Sequence, residues 1–382
     1  MSRPIVFILI LLLASCKSDK ASTNESETKS TLELSYAKGF QVAHFDGYSE
    51  LIITTPWPGA SRSFTYALVK NSTAKEKLDQ TLYDGIITIP IKSIVVTSTT
   101  HLPALELLEE SGSLVGFPGC DYISSPSIRN YIEQGFIKEL GQNEALNTEV
   151  VLTLDPDILI GFGIDGVNKA FETISNGGIP IIYNGDWAEG SPLAKAEWLK
   201  FFGVLFDKER EADQLFSKIE SDYLEAKNIA EKATSIPTVL SGAMHKDIWY
   251  LPQGTSPEGQ FLRDANVNYL WKDSSGSGSH ALSFESVFVT AQNADIWINP
   301  SYFTSYEQLK SNSELYTKFK AFRTKSIYSM SLTKGETGGV LYYELGSARP
   351  DLVLKDIIKI CHPNLLEDYQ TTFFKPLQYG SD

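Results

Sequence analysis

Cysteine is scarce in this 382-residue chain: there are three. Only Cys120 and Cys361 lie beyond the amino-terminal segment, in different halves, so no disulfide framework holds the fold and hydrophobic cores must. Cys361 closes an apolar helical pattern (LVLKDIIKIC) and is expected in a core, without chemistry. Histidine is also sparse, and the five residues His44, His101, His245, His280 and His362 show no metal-ligand spacing. There is no G-x-S-x-G elbow, no phosphate-cradling glycine loop with a lysine, and no H-E-x-x-H. The glycine-rich run Ser274–Ser279 has no strand before it and reads as a loop. Positive charge is short too: 33 Lys and Arg against 47 Asp and Glu leave a net charge of −14. That argues against nucleic acid as a partner and against charge-driven binding to an anionic membrane surface.

What is present begins with a run free of glycine and proline, Asp207 to Ala233. Ala212, Leu215, Phe216, Ile219, Tyr223, Ala226, Ala230 and Ala233 recur at spacings of three and four among charges, which predicts a helix with one buried stripe. At 1.5 Å per residue it would be roughly 40 Å long, enough to cross a whole domain. Asp207 is expected to cap it, and Pro237 follows its end. Similar-sized α/β segments flank it, so the pattern predicts two lobes joined by one helical strut.

At the amino terminus, Arg3 precedes the apolar run Ile5–Leu13 and then Ala14-Ser15-Cys16. This has the form of a secretory signal, and its apolar core is too short to span a bilayer. Leu13-Ala14-Ser15-Cys16 resembles a bacterial lipobox, which implies lipidation at Cys16 and anchoring of an exported protein to a bacterial membrane. The expected organisation is a signal peptide over 1–15, a disordered tether over 16–33 and a β-meander with a connection over 34–90. An amino-terminal α/β lobe over 91–206, the strut over 207–236 and a carboxyl-terminal α/β lobe over 237–382 complete it.

In each lobe short apolar strands alternate with helical patterns, which predicts parallel sheets covered on both faces. His101 and His245 fall in predicted loops, and Tyr122, Trp187, Trp271, Tyr302 and Tyr343 at strand ends or loops. Aromatic loop tips on two opposed lobes suit a flat, conjugated or chelate ligand.

The stretches Ile94-Val-Val-Thr-Ser-Thr-Thr-His-Leu, Leu114-Val-Gly-Phe and Asn147-Thr-Glu-Val-Val-Leu-Thr-Leu-Asp-Pro-Asp-Ile-Leu-Ile-Gly resemble one known family. It comprises the substrate-binding proteins of ATP-binding-cassette importers for iron–siderophore complexes and cobalamin, and the likeness covers roughly residues 90–365. It implies two Rossmann-like lobes bridged by one rigid helix, a monomer without a cofactor of its own, no covalent chemistry, and a ferric siderophore or corrinoid as cargo. It further implies ligand contacts from loops holding Thr99, His101, Tyr122 and Trp187 in one lobe, and His245, Trp271, Tyr302 and Tyr343 in the other. Glu149 and Glu285 match the family's pair of permease-docking glutamates. Haem, held by a histidine or a cleft tyrosine, is the alternative cargo. An exported cell-envelope hydrolase is the alternative of another class, and it would require a nucleophile with a partnered base.

Overall fold

The computed structural model describes residues 28–76, 78–163, 166 and 168–379. The predicted signal, Cys16 and most of the tether lie outside them. The tether ends sooner than residue 33, because Ser30–Thr31 already pairs with Ala43 and His44. From there a five-stranded sheet runs in chain order through Phe40–His44, Tyr48–Ile53, Phe64–Val69 and Gly85–Thr88. The last strand lies inside the expected connection. It joins parallel to Phe64–Val69 and buries Ile87 in the first core.

In the first lobe the sheet order is Ile181–Tyr183, Ile158–Gly161, Ile94–Val96, Leu114–Phe117, Lys138–Glu139, all parallel. Chain order reverses between Ile94–Val96 and Ile158–Gly161, the kind of switch point beside which open α/β sheets bind ligands. The amino-terminal sheet covers the outer edge of this one: Tyr66 Oη donates to the Ile181 carbonyl at 2.7 Å. Covering an edge removes a row of unpaired backbone groups.

The second lobe repeats the theme. Its sheet runs Asn268–Tyr269, Thr238–Ser241, Ile296–Ile298, Ile327–Ser329 and the antiparallel edge Lys375–Pro376. A three-stranded antiparallel sheet, Ala243–His245, Ile248–Pro252 and Ser279–Ser283, is inserted in it. Phe319 separates a 3-10 turn, Glu314–Lys318, from a short helix, Lys320–Arg323.

The lobes share one internal device. Asp157 accepts the amides of Lys92 and Ser93 at 2.7 and 2.9 Å, tying the central strand to its neighbour. Asp295 does the same in the second lobe, accepting the Thr238 amide and hydroxyl at 2.8 and 2.6 Å. The helices that lead to these aspartates, Thr148–Leu154 and Phe284–Ala291, therefore stand in equivalent places.

The strut is the helix Glu209–Ala230. Its single stripe is divided between two cores: Ala212, Phe216 and Ile219 pack in the first, Tyr223, Ala226 and Ala230 in the second. Tyr223 Oη donates to Asp264 at 2.8 Å, and Asn266 donates to the Ala230 carbonyl at the helix end. Asp207 does not cap the helix. It takes a left-handed conformation (φ 56°), and its carboxylate accepts from Lys70 at 2.7 Å. The chain must turn sharply there from the helix Leu199–Leu205 into the strut.

Two buried carboxylates fasten the amino-terminal sheet to this helical layer. Glu197 accepts the amides of Ser35, Tyr36 and Ala37, and Glu189 those of Lys38 and Gly39 together with the Trp198 indole N–H. Lys200 bridges Glu197 at 3.3 Å to Asp213 of the strut at 2.9 Å. Gly203 lets the two helices touch, since a Cβ there would lie 2.5 Å from Ala212 Cβ. Gly203→Ala should therefore lower stability by about 1–3 kcal/mol in denaturant titration, although alanine gains roughly 1 kcal/mol of helix propensity. A stabilised variant would show that the contact is not tight.

Candidate ligand-binding crevice

Loops at the carboxyl ends of four strands of the first lobe build most of the wall of a cavity of about 440 Å³, to which the second lobe adds two residues. Thr97, Ser98 and Thr99 follow Ile94–Val96; Phe117, Pro118, Gly119 and Tyr122 follow Leu114–Phe117. Gly141 to Glu144 follow Lys138–Glu139, and Phe162 follows Ile158–Gly161. Val340 and Tyr343 come from the second lobe. The size suits a drug-sized or larger ligand partly open to solvent.

Glu139 pins two of these loops. Its carboxylate accepts the amides of Gly119, Cys120 and Gly141 at 2.8, 2.7 and 2.8 Å. Burial works to raise its pKa, but the three backbone N–H groups outweigh that and hold the carboxyl below its ordinary range. Gly119 and Gly141 both have left-handed backbone (φ 72° and 84°), which glycine adopts without strain.

The lobes interlock beside the cavity. Glu344 Oε2 accepts the Ser124 amide at 2.5 Å, Ser124 Oγ donates to the Gly339 carbonyl at 2.9 Å, and Thr337 Oγ1 donates to the Asp121 carbonyl at 2.8 Å. Backbones meet so closely that a Cβ on Gly339 would stand 2.0 Å from the Tyr122 carbonyl oxygen.

Of the residues expected at the ligand, Thr99, Tyr122 and Tyr343 line the cavity. Tyr302 is not among the lining residues, but its phenol is hydrogen-bonded to that of Tyr343. Burial first, and then that neighbouring phenol, push the Tyr343 hydroxyl well above its ordinary value. His101 is a correction: it is fully buried, not loop-exposed, and packs on Phe202 at 5.9 Å between ring centroids. Ser98 caps a 3-10 turn over Thr99–His101 that runs straight into the helix Leu102–Leu107. His101 thereby shares the inner face with Leu105 one turn on, and burial pushes its imidazole down to about 3, leaving it neutral.

Trp187, His245 and Trp271 are not among the lining residues. Trp187 and Trp271 follow Ile181–Tyr183 and Asn268–Tyr269, each an edge strand of its sheet, and His245 ends a strand of the inserted sheet. Glu149 and Glu285 occupy the first turns of the equivalent helices, exposed, behind the caps Asn147 and Ser283. Sequence reasoning missed Phe117, Gly141–Glu144 and Phe162. Lys138–Glu139 is too short to show a strand pattern, although Gly141-Gln142-Asn143 is a recognisable turn signal.

The chain belongs to the periplasmic binding protein family, whose model matches residues 94–331. An uncharacterized lipoprotein of Methanocaldococcus jannaschii is 26% identical over 94% of this chain and 89% of its own. Three solved structures share the fold. The periplasmic haem-binding protein HutB of Vibrio cholerae is 17% identical, over 69% of this chain and 99% of its own, with a TM-score of 0.52. A Helicobacter pylori Ceue structure with Ni(II) bound is 17% identical over 74% and 88%, TM-score 0.54. An ABC transporter substrate-binding protein of Listeria monocytogenes is 18% identical over 72% and 100%, TM-score 0.51.

The Glu139 arrangement has a pH signature. A carboxyl depressed in the folded state contributes stability above its unfolded value, and that contribution is lost as pH falls through the lower folded value. Glu139→Gln should cost about 1 kcal/mol at pH 7, discounted because the group still meets water. The difference from wild type in denaturant midpoint should shrink as the pH drops below about 4; an undiminished difference at pH 3 would contradict the assignment.

Proposed function

We propose that the protein is an exported solute-binding lipoprotein, anchored through Cys16, that captures a cobalamin-type or uncharged ferric-siderophore chelate between its lobes. It delivers this cargo to the permease of an ATP-binding-cassette importer. The observation that carries the reading is the composition of the cavity wall. Among the described lining residues, three phenyl or phenol rings from the first lobe and one from the second are joined by hydroxyls and amides, with no lysine or arginine and one carboxylate, Glu144. An anionic chelate would bury charge with no cation to meet it, whereas an uncharged conjugated one finds stacking surfaces and hydrogen-bonding groups. Thr99, Tyr122 and Tyr343 are the contacts expected to matter most, with Tyr302 supporting Tyr343.

Haem is the second reading. Tyr122 and Tyr343 bring a phenol to the cavity from each lobe, and a tyrosinate is an established haem-iron ligand. The described lining residues offer nothing cationic for the carboxylates of haem, which is why this reading comes second. The hydrolase alternative lacks support here, since no histidine is among the described lining residues. Among the described residues no cluster of three or more His, Cys, Asp or Glu could hold a bare metal ion, so a metal would arrive inside its chelate. Delivery would use Glu149 and Glu285 as two exposed carboxylates held at a fixed separation by the strut, matched to cationic residues of the permease.

Tryptophan-fluorescence titration with cyanocobalamin, an uncharged ferric siderophore, an anionic ferric siderophore and haem tests the cargo. Submicromolar quenching by one of the first two is expected, weakened about tenfold by Tyr343→Ala, roughly the loss of one aromatic contact. Tight binding of the anionic siderophore alone would overturn the reading. Glu149→Ala with Glu285→Ala should leave that affinity unchanged and abolish uptake in cells; unimpaired uptake would remove the docking role.

A further inference from the structure

Two carboxylates bracket one turn at the lobe junction. Glu344, 2% exposed on the second-lobe helix Leu341–Leu345, takes the Ser124 amide at 2.5 Å. Glu106, on the first-lobe helix Leu102–Leu107, takes the Ser125 hydroxyl at 2.5 Å and also the Ser127 hydroxyl. Ser124 and Ser125 are themselves buried, so little water separates the two carboxyl groups. Glu344 directly follows Tyr343 of the cavity wall, and Ser124 lies two residues after Tyr122 of the opposite wall.

We propose that Glu344 is a titratable positioning residue: as a neutral carboxyl it latches the lobes and sets Tyr343 and Tyr122 on the two sides of the cavity, and its ionisation loosens them. The helix carrying Glu344 packs on the segment Thr99–His101 and on the helix Leu102–Leu107, which bring neutral His101 and the Glu106 carboxyl group. The facing turn brings Asp121 and the Cys120 thiol, and beside them Arg129, whose Nη1 donates to the Cys120 carbonyl at 2.8 Å. On its own helix the neighbours are the phenols of Tyr342 and Tyr343. Among the described residues, no hydrogen bond or ion pair joins a cation to Glu344, whose carboxyl group accepts the Ser124 amide.

Burial, opposed by the Ser124 and Ser125 amides and reinforced by Glu106, raises the Glu344 carboxyl from 4.5 to about 7. Local opening of the Glu344–Ser124 contact, with the strut unchanged, would wet the carboxyl and return it towards its ordinary value. The closed junction thus holds the proton more tightly than the opened one. Its proton-linked stability is complete below about 4.5, declines as pH rises, and is gone above about 7.

The latch rests on the crevice being the ligand site, but its test needs no ligand. Hydrogen exchange of the full-length protein, corrected for intrinsic rates, reads the peptides spanning residues 119–128 and 335–345 between pH 5 and 8. Protection in both should fall about tenfold across that range in wild type. Glu344→Gln keeps an acceptor for the Ser124 amide and cannot ionise, so its protection should stay at the acid level throughout. Glu106→Gln, which removes the neighbouring charge, should move the wild-type transition to lower pH. A flat wild-type profile, a Glu344→Gln profile that follows wild type, or a transition unmoved by Glu106→Gln would each overturn the latch. The four-ligand titration could fail without touching these outcomes, and these could fail with the cargo assignment intact.

Discussion

One apolar stripe on one helix holds the two lobes as a pair. Over the strut Glu209–Ala230, the same three- and four-residue spacing buries Phe216 and Ile219 in one core and Tyr223 and Ala226 in the next. A continuous α-helix cannot hinge without breaking its own hydrogen bonds, and both halves of this one are anchored in packed interiors. The distance and angle between the lobes are therefore set by the geometry of a single secondary-structure element. Secondary contacts refine it: the Glu197–Lys200–Asp213 chain at the first core and the Asp264 bonds at the second.

The crevice and the proposed docking surface both follow from that frame. Asp157 and Asp295 repeat one strand-tying arrangement, so the helices before them start at equivalent points, and Glu149 and Glu285 are presented alike. The ligand cavity lies beside the first lobe's strand-order reversal, where loops leave in opposite directions and open a space. The second lobe contributes little wall but a close interlock, with Gly335 and Gly339 admitting the Tyr122–Ser124 backbone.

Much of the architecture was legible in the chain. Period-3.6 patterning marked the strut because its buried face is narrow and its other face charged; the two sheets showed as short apolar runs alternating with helices. What the pattern could not show was sheet order, and sheet order decided the site. Trp187 and Trp271 look like loop aromatics in sequence, yet each follows an edge strand, so neither reaches the cavity wall. His101 was misplaced for a local reason, since the turn begun at Ser98 carries it onto the inner face of the helix that follows. The Glu344–Ser124 junction spans most of the chain length, and no local spacing announces it.

Small-angle scattering of the ligand-free protein and of its complex with whichever chelate quenches its fluorescence tests the rigid-strut frame most directly. A continuous helix rooted in two cores predicts radii of gyration that agree to within about 1 Å. A contraction of several ångströms on binding would contradict it, because it would require the strut to bend or one core to release its half of the stripe.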